Sequence, residues 1–198
     1  MHDGDSLRLR PLGFGDEAVH VVGITAQQHD RTFQFKRGPD GDKFKYDELF
    51  DSDALLLGRV TYQGFAAAWP DMNDDDFGQR MNTIPKYVVS STLADAEATW
   101  GPTTVIRGDV AAEVAKLKAQ PGGDLLVEGS AQLVHTMVAH GLVDEYRLMV
   151  FPIILGSGKR WFPEGVDEAA TLALTGCKTD GDGVLLLNYQ PAPGGDAA

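Results

Sequence analysis

Two short apolar runs, Asp53-Ala-Leu-Leu-Leu-Gly58 and Asp124-Leu-Leu-Val127, restrict what this chain can fold into more than any other feature. Neither alternates apolar with polar residues, so strands made from them must be buried on both faces. A parallel sheet covered by helices on both sides meets that requirement. The runs sit in a repeating strand–helix order. Val19 to Thr25, Lys86 to Ser90 and Thr103 to Ile106 are β-branched enough to read as further strands. Asp109 is a fitting N-cap for a helix carrying Val110, Val114 and Leu117, which Pro121-Gly-Gly123 stops. A second helix carries Leu133, Val134, Met137 and Val138 and closes at Gly141 as its C′ residue.

Elsewhere the signals are local. Gly38-Pro-Asp-Gly-Asp-Lys43 is turn chemistry, and Tyr46, Leu49 and Phe50 then mark the apolar face of a short helix. After Gly141 only strands are predicted: Val143 to Phe151, with Tyr146, Leu148 and Val150 on one face, then Ala170 to Leu174 and Val184 to Tyr189 around Asp180-Gly-Asp-Gly183. The order predicts a mixed, mostly parallel sheet with an antiparallel C-terminal edge. Residues 1–18 read as a loose arm, 19–190 as one domain and 191–198 as a frayed tail.

The charge arithmetic narrows the partners. Seventeen Lys+Arg against 29 Asp+Glu leaves a net charge of −12, which argues against binding a nucleic-acid backbone. Cys177 is the single cysteine, so an intrachain disulfide framework and a multi-cysteine zinc site are both excluded. No apolar run is long enough to span a membrane, and the expected location is the cytoplasm. His135 and His140 miss the i, i+4 spacing of paired ligands on a helix, and no metal site is expected.

Candidate anion sites lie where strands hand over to helices. A helix N-terminus offers unpaired N–H groups and the positive end of its dipole. At the first junction Gly58 permits close approach, Arg59 offers a guanidinium and Thr61 a hydroxyl. At the second, Gly129 and the amides of Ser130 and Ala131 are placed to hold a pyrophosphate. Ser90, Ser91 and Thr92 end another strand, and Arg107 ends the next. With Arg59 they are candidates for the extra phosphate that separates NADP from NAD. Each also has a plain structural role as a cap, a turn or a solvated charge. Gly156-Ser-Gly-Lys-Arg160 lacks the first glycine and the hydroxyl of a P-loop. Asp74, Asp75 and Asp76 suit the dipole at a helix start.

The segments Asp53-Ala-Leu-Leu-Leu-Gly-Arg-Val-Thr-Tyr-Gln-Gly64, Pro85-Lys-Tyr-Val-Val-Ser-Ser-Thr-Leu93 and Gly123-Asp-Leu-Leu-Val-Glu-Gly-Ser-Ala-Gln-Leu-Val134 follow one another in order. Gly141 to Gly158 completes the set. Together they resemble the dihydrofolate-reductase-like superfamily, and within it the reductase half of the bifunctional riboflavin-biosynthesis deaminase–reductase. The resemblance implies a three-layer α/β/α fold and an NADPH-dependent reductase working as a homodimer joined through residues 143–158. It maps Gly58, Arg59 and Thr61 onto a phosphate-binding turn, Ser90, Ser91 and Thr92 onto the adenosine-phosphate region, and Gly129, Ser130, Ala131 and Gln132 onto the pyrophosphate loop. No zinc-deaminase pattern accompanies it. Where members carry a Ser-Leu-Asp-Gly-like turn, this chain has Ile24 to Asp30, and Glu128 precedes Gly129 where glycines are often paired.

The expected substrate is a small heterocyclic or carbonyl compound such as 5-amino-6-(5-phosphoribosylamino)uracil. Its expected walls are Thr25, Ala26, Tyr46, Leu49, Phe50, Tyr62 and Phe151, and no catalytic residue is assigned. The alternative is a dimeric protein that binds the nucleotide without turnover.

Overall fold

The structure is a computed structural model and describes residues 19–22, 34–154 and 171–193. The strands are β1 (Val19–Val22), β2 (Ser52–Gly58), β3 (Lys86–Val89), β4 (Thr103–Ile106), β5 (Asp124–Glu128), β6 (Glu145–Val150), β7 (Leu172–Asp180) and β8 (Val184–Pro191). The helices are α1 (Gly38–Phe50), α2 (Arg59–Ala68), α3 (Asp76–Thr83), α4 (Val110–Lys118) and α5 (Ala131–Ala139). All eight strands join one sheet in the order β4-β3-β2-β5-β1-β6-β8-β7. The pairings from β4 through to β6 are parallel, and β8 lies antiparallel to both β6 and β7. The expected parallel body and antiparallel edge are both present.

Consecutive leucines of β2 explain why the apolar runs do not alternate. Leu55 and Leu57 pack with Leu49 of α1, Tyr62 of α2 and Met81 of α3, together with Leu126 of β5. Leu56 turns the other way, to Val114 of α4 and Leu133, Val134 and Met137 of α5, as do Leu125 and Val127. All three β2 leucines are fully buried. The sheet is therefore the middle of three layers, and each position from Ala54 to Leu57 is core on one side or the other.

Helix starts follow the capping logic of the sequence in two places. Asp109 accepts a hydrogen bond from the Ala112 N–H (3.0 Å), and Asp75 accepts one from Gly78 (2.8 Å). The dipole reading of the aspartates at 74–76 is thereby given a geometry.

α1 departs from expectation. Gly38 to Lys43 is its first turns, not a loop, with Pro39 as its second residue. The cap comes from far along the chain: Asp180, at the end of β7, accepts the Gly41 N–H at 2.7 Å. Asp182 in the β7–β8 turn accepts the Lys36 N–H at 2.8 Å. The buried face of α1 carries Gly41, Lys45, Glu48 and Leu49. Of the predicted apolar trio only Leu49 is core. Tyr46 and Phe50 stand outside, stacked at 4.1 Å between ring centroids, and the Tyr46 hydroxyl donates to Asp76. Val150 is likewise exposed, although Tyr146 is buried.

Candidate functional site

The carboxyl ends of the parallel strands form one edge, and the site is built there. From β2 the chain continues toward β3, while from β5 it continues over β1 to β6. Adjacent strands whose connections diverge leave a crevice between the helices that follow them, where open α/β sheets take ligands. Those helices are α2 and α5.

Side chains tie the two junctions together across this crevice. The Gly58 N–H donates to Ser130 Oγ at 2.9 Å, and Ser130 Oγ donates to the Glu128 carbonyl at 2.9 Å. The Ser130 N–H in turn donates to Thr61 Oγ1 at 3.1 Å. Gly129 and Ser130 have φ of 57° and 52°, so two successive residues are left-handed. Serine in that region costs on the order of 1–2 kcal/mol, and here the three hydrogen bonds hold it. Ser130 occupies the N-cap position of α5, but its side chain makes no cap bond. The expected capping role is replaced by a clamp between β2 and β5.

The neighbouring strand ends are ordered by their own contacts. Ser90 is buried, and its Oγ accepts the N–H groups of Thr92 (3.1 Å) and Leu93 (2.9 Å). Ser91 and Thr92 are exposed beside it. Arg107 lies over the same loop, donating to the Leu93 carbonyl at 2.7 Å and pairing with Asp95 at 2.9 Å. Arg59 lies along α2, donating to Gln63 at 2.8 Å. Ala131 and Gln132 open α5 at the crevice.

The residues expected around the substrate divide. Thr25 and Ala26, with the whole stretch 24–30, lie outside the described residues. Tyr62 belongs to the core: it is 1% exposed, packs against Trp100, and its Oη accepts the Trp100 N–H at 2.9 Å. It offers no surface to a ligand. Leu49 is equally buried, while the Tyr46–Phe50 stack faces outward against α3. Phe151 is half-buried against Phe35.

A cluster of which the sequence pointed only to Glu128 lies between α1 and the sheet. Lys45 Nζ reaches Glu48 Oε2 and Glu128 Oε1, each at 2.7 Å. Arg147 of β6 lies 3.7 Å from Glu48 and 3.6 Å from Glu145, with its guanidinium 4.5 Å from the centre of the Phe44 ring. Burial pushes the Glu48 carboxyl above the usual range, against the pull of Lys45 and Arg147. Burial alone would lower Lys45, but Glu128 and Glu48 outweigh it and hold the ammonium above its ordinary value. The available signal was spacing: Gly41, Lys45 and Glu48 recur at helical intervals, and Glu145 and Arg147 share one face of a strand.

The model of the RibD C-terminal domain matches residues 23–186. The chain belongs to that family. Among its relatives is YyaP of Bacillus subtilis, an uncharacterised protein 31% identical over 155 residues, spanning 76% of this chain and 80% of YyaP. A riboflavin-biosynthesis protein from Shewanella sp. PV-4 shares the fold with a TM-score of 0.70 at 18% identity, covering 90% of this chain and 99% of that one. The Thermotoga maritima diaminohydroxyphosphoribosylaminopyrimidine deaminase/5-amino-6-(5-phosphoribosylamino)uracil reductase matches with a TM-score of 0.57 at 14% identity. That match covers 89% of this chain and 57% of the longer enzyme. No helix among the described residues of this RibD C-terminal-type chain is long and apolar enough to cross a membrane.

Proposed function

We propose that this chain is an NADPH-dependent reductase that passes a hydride to a small heterocyclic or carbonyl substrate of the riboflavin-precursor kind. The observation that carries the reading is the crevice at Gly58 and Ser130. Gly58 has an ordinary φ of −78°, and a Cβ there would meet Ser130 only at 3.6 Å, normal contact distance. Neither backbone conformation nor packing requires glycine at that position. Close approach of a ligand would require it.

The donor chemistry of the crevice fits a dinucleotide. The first-turn N–H groups of α2 and α5 have no partners within their own helices, and both helices begin at the paired ends of β2 and β5. Both helix dipoles present their positive ends there, which favours a pyrophosphate. Ser130 joins the two junctions by donating its N–H to Thr61 Oγ1 and accepting the Gly58 N–H at its Oγ. Ser91 and Thr92 lie just after β3 and Arg107 just after β4, and with Arg59 at the start of α2 they would receive the adenosine 2′-phosphate. Gly129, Ala131 and Gln132 would face the pyrophosphate.

When bound, the nicotinamide supplies the hydride. The protein's part is orientation and exclusion of water. α1 reaches the carboxyl end of β5 through Lys45 and Glu128, so a substrate beside the nicotinamide would sit next to α1. Family relationship to RibD proteins supports the substrate class, and the location expected for such an enzyme is the cytoplasm.

The test is calorimetric titration with NADPH and NADH. Saturable binding that prefers NADPH is expected, and Arg59→Ala should erode that preference while leaving NADH affinity unchanged. Binding of neither cofactor would overturn the proposal. Cofactor binding without oxidation by pyrimidine, pteridine or carbonyl substrates would instead favour the non-catalytic alternative.

A further inference from the structure

We infer that Lys45 is a positioning residue for anion binding: it holds the Glu128 carboxylate on the α1 side of the sheet and cancels its charge, so that the adjoining β5–α5 junction accepts a pyrophosphate. The inference rests on the cofactor reading given above. Glu128 is the last residue of β5, and the junction begins with the next residue, Gly129. A bare carboxylate at that place would repel the phosphates the junction is built to receive.

The sheet itself decides which way Glu128 turns. Leu126 faces the layer of α1 to α3, and a strand alternates with period two, so Glu128 faces the same layer. There its Oε1 meets Lys45 Nζ at 2.7 Å. The lysine side chain is 9% exposed and that of Glu128 16%, so solvent screens the pair weakly. Glu48 fixes the ammonium from behind at 2.7 Å. Among the described residues the other charged groups of the cluster are Arg147 and Glu145 of β6.

Structural support alone does not account for this arrangement. Apolar side chains would hold a helix on a sheet at least as well as a buried lysine shared by two carboxylates. What apolar side chains would not do is neutralise Glu128 beside an anion site.

The experiment is a double-mutant cycle on NADPH affinity at low and high salt, using wild type, Glu128→Gln, Lys45→Met and the double variant. Lys45→Met should weaken binding about tenfold, the order expected for one uncompensated, partly buried charge near the phosphates. Glu128→Gln in the wild-type background should stay within about threefold, whereas in the Lys45→Met background it should restore the lost affinity. The Lys45→Met defect should shrink at high salt. Tightening of about tenfold by Glu128→Gln alone would mean that its charge already faces the site, and would overturn the inference. So would a Lys45→Met protein with unchanged affinity, or a double variant that recovers nothing. If Lys45→Met does not fold, Glu128→Gln and the double variant still decide. A wild type that binds neither NADPH nor inorganic pyrophosphate overturns the cofactor reading as well. Wild-type binding with a flat cycle overturns this inference alone.

Discussion

Lys86 opens β3 at the edge of the sheet opposite the crevice, and it is only 1% exposed. Its Nζ donates to the Ile84 carbonyl at 2.7 Å and lies 4.2 Å from the centre of the Trp100 ring. Burial, with the like charge of Arg80, lowers its pKa from 10.5 to about 8. The unfolded chain therefore holds a proton that the folded chain has given up between about pH 8 and 10.5. Stability must rise with pH across that window, because the unfolded state binds more protons there. At 1.36 kcal/mol per pKa unit the full effect is about 3 kcal/mol, of which about 2 kcal/mol falls between pH 7 and 9.5. Lys86→Met keeps an unbranched stem in the same space and removes the titration. Urea unfolding of both proteins at several pH values isolates the contribution as the difference between the two stability curves. The wild type should gain on the variant by about 2 kcal/mol from pH 7 to 9.5. Parallel curves would refute the reasoning, and a wild type that loses ground as pH rises would reverse its sign.

Two further outcomes follow from side-chain placement. Tyr62→Phe should cost about 1–2 kcal/mol by leaving the buried Trp100 N–H without its partner, while NADPH affinity stays unchanged; a large loss of affinity without loss of stability would return Tyr62 to the site. On the α4–α5 side of the sheet, beyond α5, Val150 and Leu174 are 45% and 55% exposed beside Leu148, Leu185 and Leu187. We propose a second copy of this chain as the cover of that face, so light scattering should find a dimer that Leu174→Lys converts to monomer, and a monomeric wild type would refute this.

The two halves of the candidate site differed in how far they could be read in advance, and the reason is which atoms build them. The crevice is made largely of backbone at strand ends. An apolar run that stops at a glycine marks such a place by itself, and so Gly58, Gly129 and Ser130 were locatable from local pattern. Even there the role of Ser130 was not. Its bonds to Gly58 and Thr61 depend on β2 lying next to β5, a pairing no local window contains.

The other half is made of side chains from α1, β5 and β6. Apolar periodicity turned α1 toward Tyr46 and Phe50, but its sheet side is charged, and charge is legible as core only once Glu128 and Arg147 are known to face it. The start of α1 was obscured for a related reason. Gly-Pro-Asp-Gly is locally a turn, and as helix its Gly41 N–H finds an acceptor in Asp180, far along the chain. Both departures involve the same helix, and both trace to residues brought in by the later strands. The hydrogen bonds that start α1 and the ion pair that neutralises Glu128 thus belong to one arrangement. If the Lys45 inference holds, the docking of α1 on β5 and on the β7–β8 turn is a condition for anion binding at a crevice that α1 itself does not line.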